Sequence, residues 1–72
     1  MGKLLSTFVS TEGSILNGQY CEIHANIKEE YFYIKWFTPD KNEFYRLEFL
    51  GKSLHDVEEH ANNWLVASEV LS

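Results

Sequence analysis

Residues 20–50 read YCEIHANIKEEYFYIKWFTPDKNEFYRLEFL, and three runs within this stretch alternate in polarity. In the first, Cys21, Ile23, Ala25 and Ile27 fall on one side, with Tyr20, Glu22, His24, Asn26 and Lys28 on the other. Over residues 31–38, Phe32, Ile34 and Trp36 oppose Tyr31, Tyr33, Lys35 and Phe37. Over residues 43–50, Tyr45, Leu47 and Phe49 oppose Phe44, Arg46, Glu48 and Leu50. A period of two marks a strand that buries one face. Thr38-Pro39-Asp40-Lys41-Asn42 separates the second run from the third, and proline presets the first central dihedral of a type I turn. Glu29-Glu30 separates the first two, although a tight primed turn prefers Asn or Gly. If that pair closes the first hairpin, Ile27 faces Phe32, Ala25 faces Ile34 and Ile23 faces Trp36. If residues 39–42 form the second loop, Trp36 faces Tyr45, Ile34 faces Leu47 and Phe32 faces Phe49. All three apolar sets then share one side, and a one-residue slip would break the agreement.

Downstream, Gly51-Lys52 ends the alternation, and Ser53 with Asp56 reads as a helix N-cap with a near capping box. Leu54, Val57, Ala61, Trp64, Leu65 and Ser68 then recur at helical spacing over residues 53–71, a narrow stripe suited to the meander's apolar face. Val66 and Val70 lie off that stripe. Upstream, residues 1–18 admit two readings. Leu4, Leu5, Phe8 and Val9 suit a short helix, whereas Thr7, Val9 and Thr11 suit a strand. Asn17-Gly18 signals a hairpin, but a strict one places Glu12 on the core side opposite Ile23 unless Gly13 forms a bulge. A fourth strand with a bulge is the expectation and an N-terminal helix the alternative. The fold class is α+β: one small two-layer domain over residues 1–72, a three- or four-stranded antiparallel meander (residues 20–50 at its centre) with one long C-terminal helix packed on one face.

A chain of 8.4 kDa should expose about 4,600 Å² when folded, which allows one thin core and little internal pocket. Eleven acidic against six basic side chains give a charge of -5, which opposes attraction to a phosphate backbone. A single cysteine makes no internal disulfide and anchors no multi-thiolate metal site. The apolar runs fall far short of a membrane span, and no secretory signal pattern is present, so the cytoplasm is the expected location. Gly2 with Ser6 matches the loose myristoylation pattern, a match that chance explains.

Motifs of catalysis are weak. Gly51-Lys52-Ser53 opens a helix after a strand, as a phosphate loop does, but the upstream glycine of such a loop falls at Arg46. His55 and His60 stand roughly 140° apart around a helix and, with Glu59, miss the zinc-protease spacings; both are expected in solvent. Cys21 and His24 point to opposite faces of a strand, and Cys21 reads as a small buried hydrophobe. No nucleophile has a base beside it, so neither an enzyme nor a metal or cofactor is expected.

The candidate site is the polar side of the meander. One cross-strand row is His24, Lys35, Arg46, flanked by Glu22, Phe37, Phe44 and by Asn26, Tyr33, Glu48, with Glu22 and Glu48 as diagonal counter-charges for Lys35. Tyr31, Tyr33, Phe37 and Phe44 form an aromatic patch too large for ordinary exposure, so something should cover it. The expected interaction face is therefore Tyr31, Tyr33, Lys35, Phe37, Phe44, Arg46 and His24. The expected function is a small cytoplasmic, non-enzymatic protein–protein interaction or regulatory module, phage- or mobile-element-encoded, that self-associates as a homodimer. The alternative is a weak anion or single-stranded nucleic-acid binder, with bases on Tyr33 and Phe37 and phosphates on Lys35 and Arg46. A third reading is an acidic nucleic-acid mimic built on Asp56, Glu58 and Glu59.

With a helical N-terminus, the order helix–strand–strand–strand–helix resembles a double-stranded-RNA-binding domain across the whole chain, in topology alone. That family's second helix opens with a lysine-rich patch, where this chain has Ser53-Leu54-His55-Asp56-Val57-Glu58-Glu59, so the electrostatics are inverted. Without that first helix, three strands and this helix opening resemble small antitoxin domains, over too short a stretch to imply any residue's role.

Overall fold

Each of the three alternating runs becomes a strand, and the N-terminal segment adds a fourth. The computed structural model describes residues 2–10 and 16–71, which form β1 (Gly2–Val9), β2 (Tyr20–Asn26), β3 (Tyr31–Phe37), β4 (Glu43–Phe49) and α1 (Leu54–Leu71). The strands pair antiparallel in chain order, β1-β2-β3-β4. The N-terminus is thus a strand, and the helix-first order of a double-stranded-RNA-binding domain does not hold. Its irregularity falls at Leu5, between the pairs Leu4–His24 and Ser6–Ile23. Glu12 and Gly13 lie outside the described residues. Asn17-Gly18 does make a primed turn, with φ of 49° and 85° and the Gln19 N–H donating to the Leu16 carbonyl at 3.1 Å. Strand pairing begins further out, at Val9–Tyr20, and Ser10 latches the base of the connection by donating its N–H (2.9 Å) and its hydroxyl (2.6 Å) to the Gln19 carbonyl.

The second hairpin has the expected pairs Phe32–Phe49, Ile34–Leu47 and Trp36–Tyr45. Thr38 accepts from the Lys41 N–H at 2.9 Å around Pro39-Asp40, and Phe44 is the extra residue where pairing slips from Trp36–Tyr45 to Phe37–Glu43. The first hairpin differs. Ile23 pairs with Ile34, Ala25 with Phe32 and Cys21 with Trp36, two residues away from the expected register. The loop takes Ile27 to Glu30 instead of Glu29-Glu30 alone. Asn26 Oδ1 accepts the Glu29 N–H at 3.1 Å and Glu30 turns left-handed at φ 56°. A shift of two keeps every side chain on its face, so the apolar side survives intact.

That side meets the helix. Cys21, Ile23, Ile34 and Trp36 from the sheet and Val57 and Ala61 from α1 form the buried core, with Leu5, Phe8, Phe32, Leu47, Phe49, Leu54 and Trp64 packed around it. Leu65 is half-buried and Val66 exposed, as the stripe requires; Ser68 and Val70 lie outside the described side chains. Ser53 and Asp56 cap the helix reciprocally: each backbone N–H donates to the other's side-chain oxygen at 3.3 Å. Total surface is 4820 Å², close to the value expected for the mass.

One helix about 10–12 Å across cannot cover four strands whose outer axes lie about 14 Å apart. Here α1 rests chiefly on β1, β2 and β3. The inner face of β4 is covered only in part, with Tyr45 exposed and Leu47 and Phe49 half-buried.

Candidate interaction surfaces

On the outer face, Tyr33 is the centre of a packed cluster. The His24 ring stacks against it at 5.2 Å and 6°, the Arg46 guanidinium carbon lies 4.2 Å from its centroid, and Lys35 Nζ and the Tyr31 ring lie at 5.9 and 6.0 Å. Tyr33 is consequently only 6% exposed, on a face with no second layer among the described residues. Gly2, paired with Asn26, closes over the Tyr33 hydroxyl, and a Cβ there would collide with it. Phe37 is likewise covered, by Tyr20 stacked at 4.9 Å and 10°.

The charges of this face are partnered. Lys35 lies 3.7 Å from Glu43 and Arg46 3.4 Å from Glu48, whose same oxygen accepts the Tyr31 hydroxyl at 2.9 Å. His24 Nε2 is 2.9 Å from Glu22. The row expected as His24, Lys35, Arg46 is instead Glu22, Lys35, Arg46, because the first hairpin is shifted by two. The counter-charge of Lys35 is Glu43, where Glu22 and Glu48 were expected.

Of the seven expected residues, Tyr31, Tyr33, Lys35, Phe37, Arg46 and His24 therefore share this face, and side chains of the same chain provide much of the cover. Phe44 stands apart on its bulge, 52% exposed. The sequence reading omitted Tyr20, which its own alternation placed on this face. It also omitted the inner side of β4, where Tyr45 is 54% exposed and Leu47 and Phe49 are only half-buried. Helix width against sheet width was the signal for that strip. The strip is flanked by aromatic contacts: Trp36 lies 5.3 Å from Tyr45, 6.1 Å from His60 and 6.4 Å from Trp64, and Phe49 lies 5.2 Å from His60. Trp36 Nε1 is buried with no hydrogen-bond acceptor among the described residues.

His55 is exposed beside Glu59 at 3.6 Å, and His60 is exposed as well, as expected, with its ring 5.2 Å from that of Phe49. Among the described residues no group of three His, Cys, Asp or Glu side chains converges on a point, and no helix is long and apolar enough to cross a membrane. Burial pushes the Cys21 thiol up to about 12, an inert form for a nucleophile. A depression of about 310 Å³ beside Ala25, Ile27 and Phe32 at the β2–β3 turn is mostly apolar. No family model, curated protein or solved structure matches this chain.

Proposed function

We propose that the protein is a small non-enzymatic protein–protein interaction module of the cytoplasm that works as a homodimer. The observation that supports this reading is the apolar strip of β4, exposed Tyr45 with half-buried Leu47 and Phe49, which the single helix covers only in part along an edge strand. Edge strands with apolar neighbours are the surfaces through which sheets recruit further chains, and two-fold dimers are the commonest closed assembly. This reading takes β4 as the partner surface, in preference to the outer-face cluster, whose rings and charges already have partners within the chain. Light scattering from micromolar to millimolar protein should give twice the chain mass of 8.4 kDa, and a constant 8.4 kDa would sink the proposal.

The single-stranded nucleic-acid reading draws less support. Tyr33 and Phe37 already stack on His24 and Tyr20, and Lys35 and Arg46 already pair with glutamates. The mimic reading loses ground too, because Asp56 caps its own helix and Glu59 pairs with His55.

A further inference from the structure

We infer that two copies of the chain join edge to edge through β4, antiparallel about a two-fold axis at Leu47, into one continuous eight-stranded sheet. The inference rests on the homodimer reading and specifies its interface. Two strands, β1 and β4, form the edges of the sheet among the described residues. In β1 the ladder is interrupted at Leu5, and Lys3 lies on the strand. Bulges and lysines are devices that blunt an edge against pairing. In β4 the ladder runs without interruption from Tyr45 to Phe49, with its bulge confined to the hairpin end at Phe44. That five-residue segment contains no lysine, proline or glycine. One edge is guarded and the other is regular.

The side chains of β4 then select the register. Around an axis at Leu47, Arg46 stands opposite Glu48 of the second copy, Glu48 opposite Arg46, and Tyr45 opposite Phe49, each pair occurring twice. Opposite charges and aromatic pairs directly across antiparallel strands are favourable. An axis at Arg46 would set Arg46 against itself, and an axis at Glu48 would set Glu48 against itself. Pairing Leu47 with Arg46 or Glu48 would put the two helices on opposite faces, which a two-fold axis normal to the sheet does not allow. Only the Leu47 register satisfies charge and polarity together. It also merges the two strips of Tyr45, Leu47 and Phe49 on one face of the joined sheet, between the two helices. Arg46 and Glu48, already 3.4 Å apart within one chain, would close a four-membered charge network across the axis.

Sedimentation velocity on charge-reversed variants tests the pairing. Arg46→Glu alone and Glu48→Arg alone each create two like-charge pairs and should weaken the dimer at least tenfold. Mixing the two variants restores every opposite-charge pair, and heterodimers should form with affinity near wild type. Because Arg46 also lies over Tyr33, mild oxidation of cysteine variants provides an arm that leaves it in place. Leu47→Cys should cross-link to itself. Tyr45→Cys should not, but should cross-link to Phe49→Cys when the two are mixed. Cys21, buried, stays out of the reaction. A wild-type dimer with neither heterodimer rescue nor the Leu47→Cys cross-link would overturn this interface and leave the homodimer reading standing. A wild type that stays monomeric at millimolar concentration would overturn both.

Discussion

Truncating Tyr33 removes a ring that His24, Arg46 and Tyr31 pack against, so Tyr33→Ala should cost about 3 kcal/mol in a urea melt. Phe44→Ala, on a half-exposed bulge, should change stability by less than about 0.5 kcal/mol. Equal losses would show that the outer cluster contributes no specific packing. Cys21 supplies a pH dependence. Its thiol is raised from 9.0 to about 12 by burial, so the unfolded chain releases this proton first as pH rises. The stabilisation is complete below pH 9 and declines from there toward pH 12, by at most about 1.4 kcal/mol per pH unit. The fall in urea midpoint between pH 8 and pH 10.5 should be smaller in Cys21→Ala than in wild type, since other titrations are common to both.

At the scale of elements, the first hairpin is where local chemistry and strand pattern diverge. Polarity alternates without a break from Tyr20 to Lys28, yet β2 stops at Asn26, whose side chain is taken up by the turn. An asparagine that accepts from a backbone N–H three residues on is a turn signal, and it lay hidden inside an alternating run. Glu30 sits left-handed at φ 56°, a conformation that costs a non-glycine residue about 1–2 kcal/mol. Glu30→Gly should therefore raise stability by about 0.5 kcal/mol once glycine's larger unfolded-state entropy is deducted, and Glu30→Val should lower it. A Glu30→Gly protein that melts earlier than wild type would contradict this turn geometry. The helix was more legible. Ser53 and Asp56 cap it as their spacing implied, and removing that cap with Ser53→Ala should cost about 1 kcal/mol, read from the thermal midpoint.

Across the whole molecule, the balance of eleven acidic and six basic residues acts together with the pairing of Lys35 and Arg46. A single-stranded DNA or RNA oligomer meets a net charge of -5, stacking rings that are occupied and cations that are neutralised. Fluorescence anisotropy of labelled oligomers should stay flat to high micromolar protein at low salt. A salt-sensitive rise, lost on replacing Lys35 and Arg46 with glutamate, would restore nucleic-acid binding as the function of this face.

The sequence alone determined which side of β2, β3 and β4 is apolar, the turn at Pro39, the helix stripe and its cap, because each depends on spacing within a few residues. It left the first hairpin's register open by two, since registers two apart satisfy a period of two equally well. Tertiary structure decided that register through the length of the loop between Asn26 and Tyr31. It also decided that the outer aromatics cover one another, as cross-strand neighbours are assigned only once register exists. The partly covered strip on β4 is likewise tertiary in origin. Its cause is geometric: one helix is narrower than the four-stranded sheet it rests on.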